Sequence, residues 1–265
     1  MNPKTPAEPR LLIEERRRRI LDRLNEQGRV TVGELANGFG ISAVTIRGDL
    51  DVLDQRGALV RSHGGALKRL NPRQDHPLKV KETLHHAAKV RIGQAAAQLI
   101  QADQKIILDS GTTTVEIARQ LRASKIKALT VITNALNIAM ELANLPQVSV
   151  IMLGGMLRQM SYSLVGPHAE QFLGDLNADH AFLGVDGLDP EIGLSTPDVL
   201  EAKLNALMIR ISREVTVVAD SSKLGERSLS VIARVENVHR VITDNKAAPE
   251  IVEGLQARGV EVLLV

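Results

Sequence analysis

The most chemically versatile segment of the chain is a run of carboxylate, hydroxyl and glycine residues: Asp109, Ser110, Gly111, Thr112, Thr113 and Thr114. It follows an apolar segment and precedes a helical pattern, so it lies where a strand ends and a helix begins. Such a turn offers unpaired backbone N–H groups, hydroxyl donors and the positive end of a helix dipole, which together suit a phosphate monoester. We therefore predict a phosphate site; the alternative is a helix capped by Ser and Thr that binds no ligand.

Further polar and glycine residues follow other predicted strands: Asn134, Gly154, Gly155, Asp186 and Gly187. Because ligands of open α/β sheets bind outside the carboxyl ends of strands, we expect these residues to converge on one pocket. Glu201, early in a predicted helix, and Lys223, after a further strand, complete the candidate set. Lys223 is expected either to pair with the phosphate or to form an ion pair with Glu201 or Asp186.

The segments that must position this pocket alternate between strands and helices over residues 89–265. Apolar runs predict strands at 105–109, 129–133, 148–153, 180–185, 215–219, 238–243 and 260–265. Helical patterns lie at 112–122, 135–143, 197–212 and 249–258. Strands that alternate with helices form βαβ units, so we predict an α/β domain with a mainly parallel sheet.

Residues 11–68 have a different pattern, with three short helices followed by a hairpin. The first helix has an apolar stripe formed by Ile13, Ile20, Leu21 and Leu24. Thr31 and Ser42 are suited to cap the second and third helices, and Gly40 permits a tight turn between them. Two short strands around a glycine-bearing turn follow, which predicts a winged helix-turn-helix domain.

The third of these helices has an inward stripe of Ile46, Leu50 and Leu53 and an opposite side that is free to contact DNA. The candidate DNA-binding residues are Ser42, Val44, Thr45, Arg47 and Gly48 on this helix, with Arg61 and His63 in the wing. A helical hairpin with ordinary polar surface residues is the alternative. Residues 1–10 are predicted to be a disordered arm, and residues 69–88 a linker that turns helical near its end.

Charge and composition narrow the classes of function. Residues 1–89 hold 17 Lys and Arg against 11 Asp and Glu, a net charge of +6. Residues 90–265 hold 16 against 20, a net charge of −4, so the basic part coincides with the predicted DNA-binding domain. Only 2% of residues are aromatic, which disfavours stacking on single-stranded nucleic acid.

The chain contains no cysteine, which excludes disulfides, thiolate zinc sites and Cys nucleophiles. The N-terminus lacks the apolar core of a signal peptide, and no apolar run is long enough for a transmembrane helix. We expect a cytoplasmic protein without a metal site or cofactor.

Four segments of the N-terminal part resemble the signature of DeoR-family repressors: Arg18-Arg19-Ile20-Leu21, Val32-Gly33-Glu34-Leu35-Ala36, Val44-Thr45-Ile46-Arg47-Gly48-Asp49-Leu50 and Arg61-Ser62-His63-Gly64-Gly65-Ala66. The resemblance continues through the 109–114 run, Gly184-Val185-Asp186-Gly187 and Ser221-Ser222-Lys223, and so covers nearly the whole chain. The sequence departs from the family at Gly48, where a polar or basic residue is usual, so a detailed operator code does not carry over.

The resemblance implies a C-terminal sensor domain similar in fold to ribose-5-phosphate isomerase. It implies that residues 110–114 hold a phosphate, with Asn134, Asp186, Glu201 and Lys223 around the sugar. Within the family the chain most resembles regulators of N-acetylgalactosamine and galactosamine use.

The expected function is therefore a homo-oligomeric repressor of a sugar catabolic operon. It would bind a double-stranded DNA operator, be released from it by a phosphorylated sugar, and catalyse no reaction. Two alternatives are an active sugar-phosphate isomerase with an appended DNA-binding domain, and an architectural DNA-binding protein with a degenerate pocket.

Overall fold

The computed structural model describes residues 12–62, 64–68, 75–124 and 126–265. The chain divides into two compact units, an N-terminal unit (Met1–Leu70) and a C-terminal unit (Asn71–Val265). The arm predicted over 1–10 lies outside the described residues, as does His63. Within the described ranges, no helix combines the length and the apolar character needed to cross a membrane.

Among its described residues, the N-terminal unit contains three helices and a small antiparallel sheet. The helices are α1 (Ile13–Gln27), α2 (Val32–Phe39) and α3 (Ala43–Gln55), and the strands are β1 (Arg29–Thr31), β2 (Val60–Ser62) and β3 (Gly65–Leu67). The strand order is β1-β3-β2, so β1 pairs with the hairpin of the wing. The predicted winged helix-turn-helix is confirmed; β1 was not predicted because three residues carry too little pattern.

The turn between α2 and α3 is set by local chemistry. Thr31 accepts a hydrogen bond from the Glu34 N–H, and the Glu34 carboxylate accepts one from the Thr31 N–H, which begins α2 with a capping box. Gly40 ends α2 at a φ of 63°, a left-handed conformation that favours glycine. Ser42 accepts a hydrogen bond from the Thr45 N–H and so begins α3. The caps predicted at Thr31 and Ser42 are confirmed.

A buried ion pair joins α1 to α3. The Asp49 side chain, only 3% exposed, accepts hydrogen bonds from Arg16 Nε at 2.5 Å and from Arg17 Nε at 3.0 Å. Arg16 takes the inward position in the first turns of α1, ahead of the buried Ile20. Ile13, predicted to face inward, is 55% exposed.

The C-terminal unit contains seven helices and twelve strands among its described residues. In chain order these are α4 (Leu78–Thr83), α5 (His86–Ala97), β4 (Lys105–Leu108), α6 (Thr114–Ala123), β5 (Leu129–Thr133), α7 (Leu136–Leu142), β6 (Val148–Met152), β7 (Met156–Arg158), β8 (Ser163–Val165), α8 (Pro167–Gly174), β9 (Ala178–Leu183), β10 (Gly187–Asp189), β11 (Gly193–Thr196), α9 (Val199–Arg210), β12 (Ser212–Val218), β13 (Ser230–Ala233), β14 (Arg240–Thr243), α10 (Pro249–Gln256) and β15 (Glu261–Leu264). Two short 3₁₀ helices, Ser221–Lys223 and Val235–Asn237, complete the unit.

Seven strands form one parallel sheet in the order β15-β14-β12-β9-β4-β5-β6. Each of the seven predicted strands belongs to it, which confirms the predicted parallel α/β architecture. The chain first adds β5 and β6 on one side of β4 and then β9, β12, β14 and β15 on the other. The direction of strand addition therefore reverses between β4 and β9.

Helices cover both faces of this sheet. Ile106 and Leu108 of β4 pack in a cluster with α5, α6 and α7, whereas Ile107 packs on the other face with α8, α9 and α10. Successive side chains of a strand point to opposite faces, so a strand buried on both sides is apolar throughout. This is why the sheet strands were recognisable as continuous apolar runs.

The structure differs from the linker predicted over residues 69–88. From residue 75 onward this segment belongs to the C-terminal unit and forms α4 and the start of α5, with Leu78, Val80 and Leu84 buried. Its prolines and charges suggested a linker, but Asp75, Lys81 and Glu82 form ion pairs with other parts of the unit. The hairpin β7–β8 and the sheet β10-β11-β13 were also not predicted.

The Asp49→Ala substitution is expected to destabilise the N-terminal unit by about 3–5 kcal/mol, because it leaves the largely buried Arg16 guanidinium without its partner. Deuterium uptake of α1 and α3, measured by mass spectrometry on the full chain, should rise accordingly. Asp51→Ala is the matched control, because the Asp51–Arg61 pair is exposed and contributes less than about 1 kcal/mol. Equal uptake in the two variants would contradict a structural role for the Asp49 pair.

Candidate functional site

The candidate site of the C-terminal unit lies where β4 and β9 end. The Asp109 carboxyl group directly follows β4, and its Oδ2 accepts a hydrogen bond from the Gly184 N–H just beyond β9 at 2.9 Å. In an open α/β sheet, the crevice at which the direction of strand addition reverses is the usual place for a ligand. The 109–114 run, predicted to bind phosphate, therefore stands at this crevice.

Asp109 is a neutral acid at the floor of the crevice. Its side chain is 1% exposed, and burial raises its pKa to about 8, against the opposing effect of the hydrogen bonds from Gly184 and Thr114. The nearby carboxylates of Glu201 and Asp186 raise the pKa further. Because Oδ2 accepts the Gly184 N–H, the acid proton is placed on Oδ1, which has no partner among the described residues.

The turn after Asp109 is held in shape by Thr114. The Thr114 hydroxyl donates to the carbonyl oxygens of Asp109 and Gly111 at 3.0 and 3.1 Å, so this hydroxyl serves the turn itself. The first intrahelical bond of α6 comes from the Val115 N–H to the Gly111 carbonyl, so the N–H groups before Val115 face the start of the helix. A side chain at Gly111 would come within 2.9 Å of the Thr114 hydroxyl, so the turn requires glycine there.

Two lysines flank the Asp186 carboxylate beyond β9. Lys81 Nζ lies 2.8 Å and Lys223 Nζ 3.4 Å from the same oxygen, Asp186 Oδ1. Burial would raise the pKa of Asp186, but the two ammonium groups outweigh it and lower the pKa to about 2. Of the roles predicted for Lys223, the ion pair with Asp186 is confirmed; Lys81 was not predicted.

A third lysine, Lys89 of α5, is buried below the site. Burial lowers its pKa to about 8, although the Asp220 carboxylate opposes this. Its ammonium donates to the carbonyl oxygens of Lys81 and Leu84 at 2.5 and 2.7 Å. Lys89 therefore holds the last turn of α4, the helix that carries Lys81.

Glu201 of α9 is buried and hydrogen-bonded to the β7–β8 segment. Its Oε1 accepts hydrogen bonds from Ser161 at 2.5 Å and Ser163 at 2.7 Å, and Arg158 Nη1 lies at 3.3 Å. Arg158 also pairs with Asp75 and, at 3.0 Å, with Asp198. Because these donors already bind its carboxylate, Glu201 is placed to orient the β7–β8 hairpin.

The remaining predicted residues have structural contacts of their own. Asn134 is fully buried after β5 and donates to the Leu164 carbonyl at 3.4 Å, while its Oδ1 has no donor in the described ranges. Gly155 and Gly187 pack against backbone: an added side chain would come within 2.6 Å of the Val165 carbonyl oxygen and 2.5 Å of the Glu226 carbonyl oxygen. Gly154, in contrast, is exposed with open space around it.

Five of the seven candidate DNA-binding residues lie on the solvent side of α3 or at its N-cap. Ser42, Thr45, Arg47 and Gly48 are exposed, and Val44 is 74% exposed although it is apolar. Arg61 differs, because its guanidinium binds Asp51 at 2.8 Å and the Gly65 carbonyl at 2.7 Å and so ties the wing to α3. Its role toward DNA stays a prediction, as does that of His63.

Several residues of the site were missed from the sequence: Lys81, Lys89, Arg158, Ser161, Ser163 and Asn205. Lys81 and Lys89 lie in or next to the segment taken for a linker, although the apolar residues Leu78, Val80 and Leu84 beside them indicated a packed helix. Arg158, Ser161 and Ser163 follow no regular pattern, and nothing in the sequence marked them. Asn205 is placed by the inward face of α9, where its Nδ2 lies 3.5 Å from Asp109 Oδ2.

The raised pKa of Asp109 predicts how stability depends on pH. From about pH 4 to 8 the folded chain keeps a proton that the unfolded chain has lost, so the free energy of unfolding falls as pH rises. Asp109→Asn removes this titration and keeps an acceptor for Gly184. The decline between pH 5 and 7.5 should therefore be about 1 kcal/mol per pH unit shallower in the variant.

Urea unfolding followed by tyrosine fluorescence would measure this, because the single tyrosine, Tyr162, lies in the C-terminal unit. Asp175→Asn, which changes an exposed carboxylate, is the control and should leave the slope unchanged. Identical slopes for the Asp109→Asn variant and the parent chain would mean that Asp109 is ionised in the folded protein.

Comparison with known proteins assigns both units. Residues 16–69 match the DeoR-like helix-turn-helix domain, and residues 84–245 match the DeoR C terminal sensor domain. A protein of Escherichia coli O157:H7 with the provisional name of aga operon transcriptional repressor is 42% identical over 253 residues, which cover 95% of this chain and 93% of that protein. The regulator GlpR of Haloferax volcanii is 36% identical over 253 residues, covering 96% and 98% of the two chains.

Among solved structures, ribose 5-phosphate isomerase A of Methanocaldococcus jannaschii is similar with a TM-score of 0.39 and 17% identity, covering 52% of this chain and 54% of that one. The relatives from Escherichia coli and Haloferax volcanii are both named as transcriptional regulators. The two matched domains and the relatives, which align over nearly their whole lengths, show that this chain belongs to the DeoR family of helix-turn-helix transcriptional regulators.

Proposed function

We propose that this protein represses a sugar catabolic operon and leaves its operator when a phosphorylated sugar binds at the carboxyl ends of β4 and β9. The observation that carries the proposal is the turn of residues 110–114, which brings hydroxyls, backbone N–H groups and the start of α6 to the crevice at which the direction of strand addition reverses. Such a turn suits a phosphate group. Membership in the DeoR family, with its helix-turn-helix domain, supports the DNA-binding half of the proposal.

The phosphate would lie on the turn, held by Ser110, Gly111, Thr112 and Thr113. The neutral Asp109 below it favours this arrangement, because an ionised carboxylate at the floor would repel a dianion. Lys223, next to Asp186, adds positive charge at the same end of the sheet. The Thr114 hydroxyl supports the turn rather than the ligand.

The sugar would face Asn134, Asp186 and Glu201. Buried acceptor oxygens of Asn134 and Asn205 have no donor in the described ranges, and hydroxyl groups of a sugar would supply donors. Gly154, Gly155 and Gly187 would border this region. The 42% identity to the aga operon relative favours a phosphorylated amino sugar as the effector.

The DNA half of the function would rest on the exposed side of α3. Arg47 would bind guanine or phosphate, Ser42 and Thr45 would donate to phosphates, and Val44 would contact a thymine methyl group. Gly48 has open space around its Cα, so it allows close approach to DNA without adding a contact. Arg61 and His63 would contact the backbone from the wing.

Repression would take place in the cytoplasm and would involve a homo-oligomer. One small DNA-binding domain gains affinity and recognises a longer DNA site when symmetry pairs it with a second copy. The sugar phosphate would bind preferentially to a conformer in which the spacing of the DNA-binding domains does not match the operator. A coupling free energy of about 1–3 kcal/mol is enough for this response.

Arg47→Ala should weaken binding to DNA from the promoter region of the chain's own gene by about 1–3 kcal/mol, which is about 5- to 150-fold. Fluorescence anisotropy with labelled fragments would measure the affinity. Arg56→Ala, at the opposite end of α3, is the control and should change it by less than threefold. If Arg56→Ala weakened binding more than Arg47→Ala, the proposed reading face would be wrong.

A panel of sugar phosphates tests the effector half. It contains the 6-phosphates of galactosamine, N-acetylgalactosamine, glucosamine and glucose, ribose 5-phosphate, and each sugar without phosphate. At least one phosphorylated member should raise the thermal midpoint of the C-terminal unit and lower operator affinity, because ligand binding to the folded state stabilises it. Its unphosphorylated form should do neither. Failure of every phosphorylated sugar to stabilise the chain would contradict the proposed sensor.

A further inference from the structure

We infer that, given the proposed function, Lys81 is a further effector-binding residue and that α4 transmits effector binding toward the DNA-binding unit. The helix is the first described element of the C-terminal unit, and only six undescribed residues, 69–74, separate the described segments of the two units along the chain. The side chains of Asp75, Lys81 and Glu82, in or just before this helix, join it to the elements that form the candidate site.

The first connection is the pair of ammonium groups on Asp186. Lys81 and Lys223 approach the same carboxylate oxygen, so two positive charges share one negative charge. One lysine can therefore turn to a phosphate while the other still neutralises Asp186. Lys81 is the one that lies on α4, so its turning would act on that helix, whereas Lys223 lies on the 3₁₀ helix after β12.

The second connection joins α4 to the turn of residues 110–114. Glu82 accepts a hydrogen bond from Arg119 Nη2 at 2.8 Å, and Arg119 is on α6, the helix that begins at the turn. Arg119 also binds Glu116, a buried residue in the first turn of α6, at 2.6 Å. A shift of the α6 start on binding a phosphate would therefore reach Glu82 through one guanidinium.

The third connection runs through Arg158. This guanidinium pairs with Asp75, just before α4, and with Glu201 of α9 on the sugar side of the site. The Leu78 N–H also donates to the Met160 carbonyl at 2.7 Å, which fastens the start of α4 to the same β7–β8 segment. Residues 75–82 are thus held by both ends of the candidate site.

The buried Lys89 gives this segment a fixed far end. It binds the carbonyl oxygens of Lys81 and Leu84, so the last turn of α4 stays attached to α5. Because the start of α4 is fastened to the β7–β8 segment, motion of α4 on exchange of the Lys81 ion pair would move the two together.

The test compares two lysines that share one partner. The ligand is the panel sugar phosphate that stabilises the wild-type chain most. Lys81→Gln and Lys223→Gln are each expected to lower the affinity for this ligand about tenfold, because each loses a charged contact. At saturating sugar phosphate, Lys223→Gln should still release operator DNA, with the 5- to 150-fold loss of affinity typical of allosteric coupling. Lys81→Gln should remain bound, with a loss below about threefold. Lys79→Gln, exposed on the same helix, is the control and should match the wild type.

Release of DNA from Lys81→Gln at saturation, to the wild-type extent, would overturn the inference and leave the proposed sensor intact. Loss of release in Lys223→Gln as well would also overturn it, because the response would then not depend on α4. Absence of binding by the wild-type chain to every panel member would instead overturn the proposed function itself.

A measurement on the wild-type chain covers the case in which Lys81→Gln does not fold. Deuterium uptake over residues 75–84 should change at least twofold with saturating sugar phosphate, whereas uptake over α10 should not. Unchanged uptake over 75–84 would overturn the proposed transmission.

Discussion

Strands β4 and β9 are hydrogen-bonded neighbours, yet the chain leaves their carboxyl ends toward opposite faces of the sheet, to α6 on one face and by way of β10 and β11 to α9 on the other. The two exits cannot fill the same space, so a crevice forms between them. The hydrogen bond from the Gly184 N–H to Asp109 ties its two sides together. The polar residues of the candidate site are arranged around this one reversal.

The carboxyl groups around the crevice are held in different ways by their surroundings. Burial keeps Asp109 protonated near neutral pH, because the hydrogen bonds from Gly184 and Thr114 do not offset the loss of water. Asp186 is ionised between two ammonium groups. Glu201 is hydrogen-bonded by two serines and an arginine. An anion that enters this region meets the protonated Asp109. It also meets Lys81 and Lys223, whose combined positive charge exceeds the single negative charge of Asp186.

In the N-terminal unit, ten buried apolar residues among those described form the core that holds α3 in a fixed position. The buried Asp49 takes part of this work, because it fixes α3 against α1 through two arginines on the side away from Val44 and Arg47. The exposed side of α3 carries the cap at Ser42 and the contact of Asp51 with the wing.

The sequence by itself determined the two-unit organisation, the caps of α2 and α3, all seven sheet strands and the 109–114 turn. These features depend on local patterns, namely periodicity, glycine conformation and hydroxyl caps, which a few adjacent residues express. It also placed Asp186 and Lys223 at strand ends, where topology brings them together.

Only the tertiary structure decided which charges meet. Lys81 and Asp186 are 105 residues apart in the chain, and Arg158 and Asp75 are 83 apart, so no local pattern records either pair. The same residue types in α4 would suit a solvated linker equally well. Whether a lysine is a surface charge or a partner of a buried carboxylate depends on the packing of distant segments, and that is fixed only when the sheet forms.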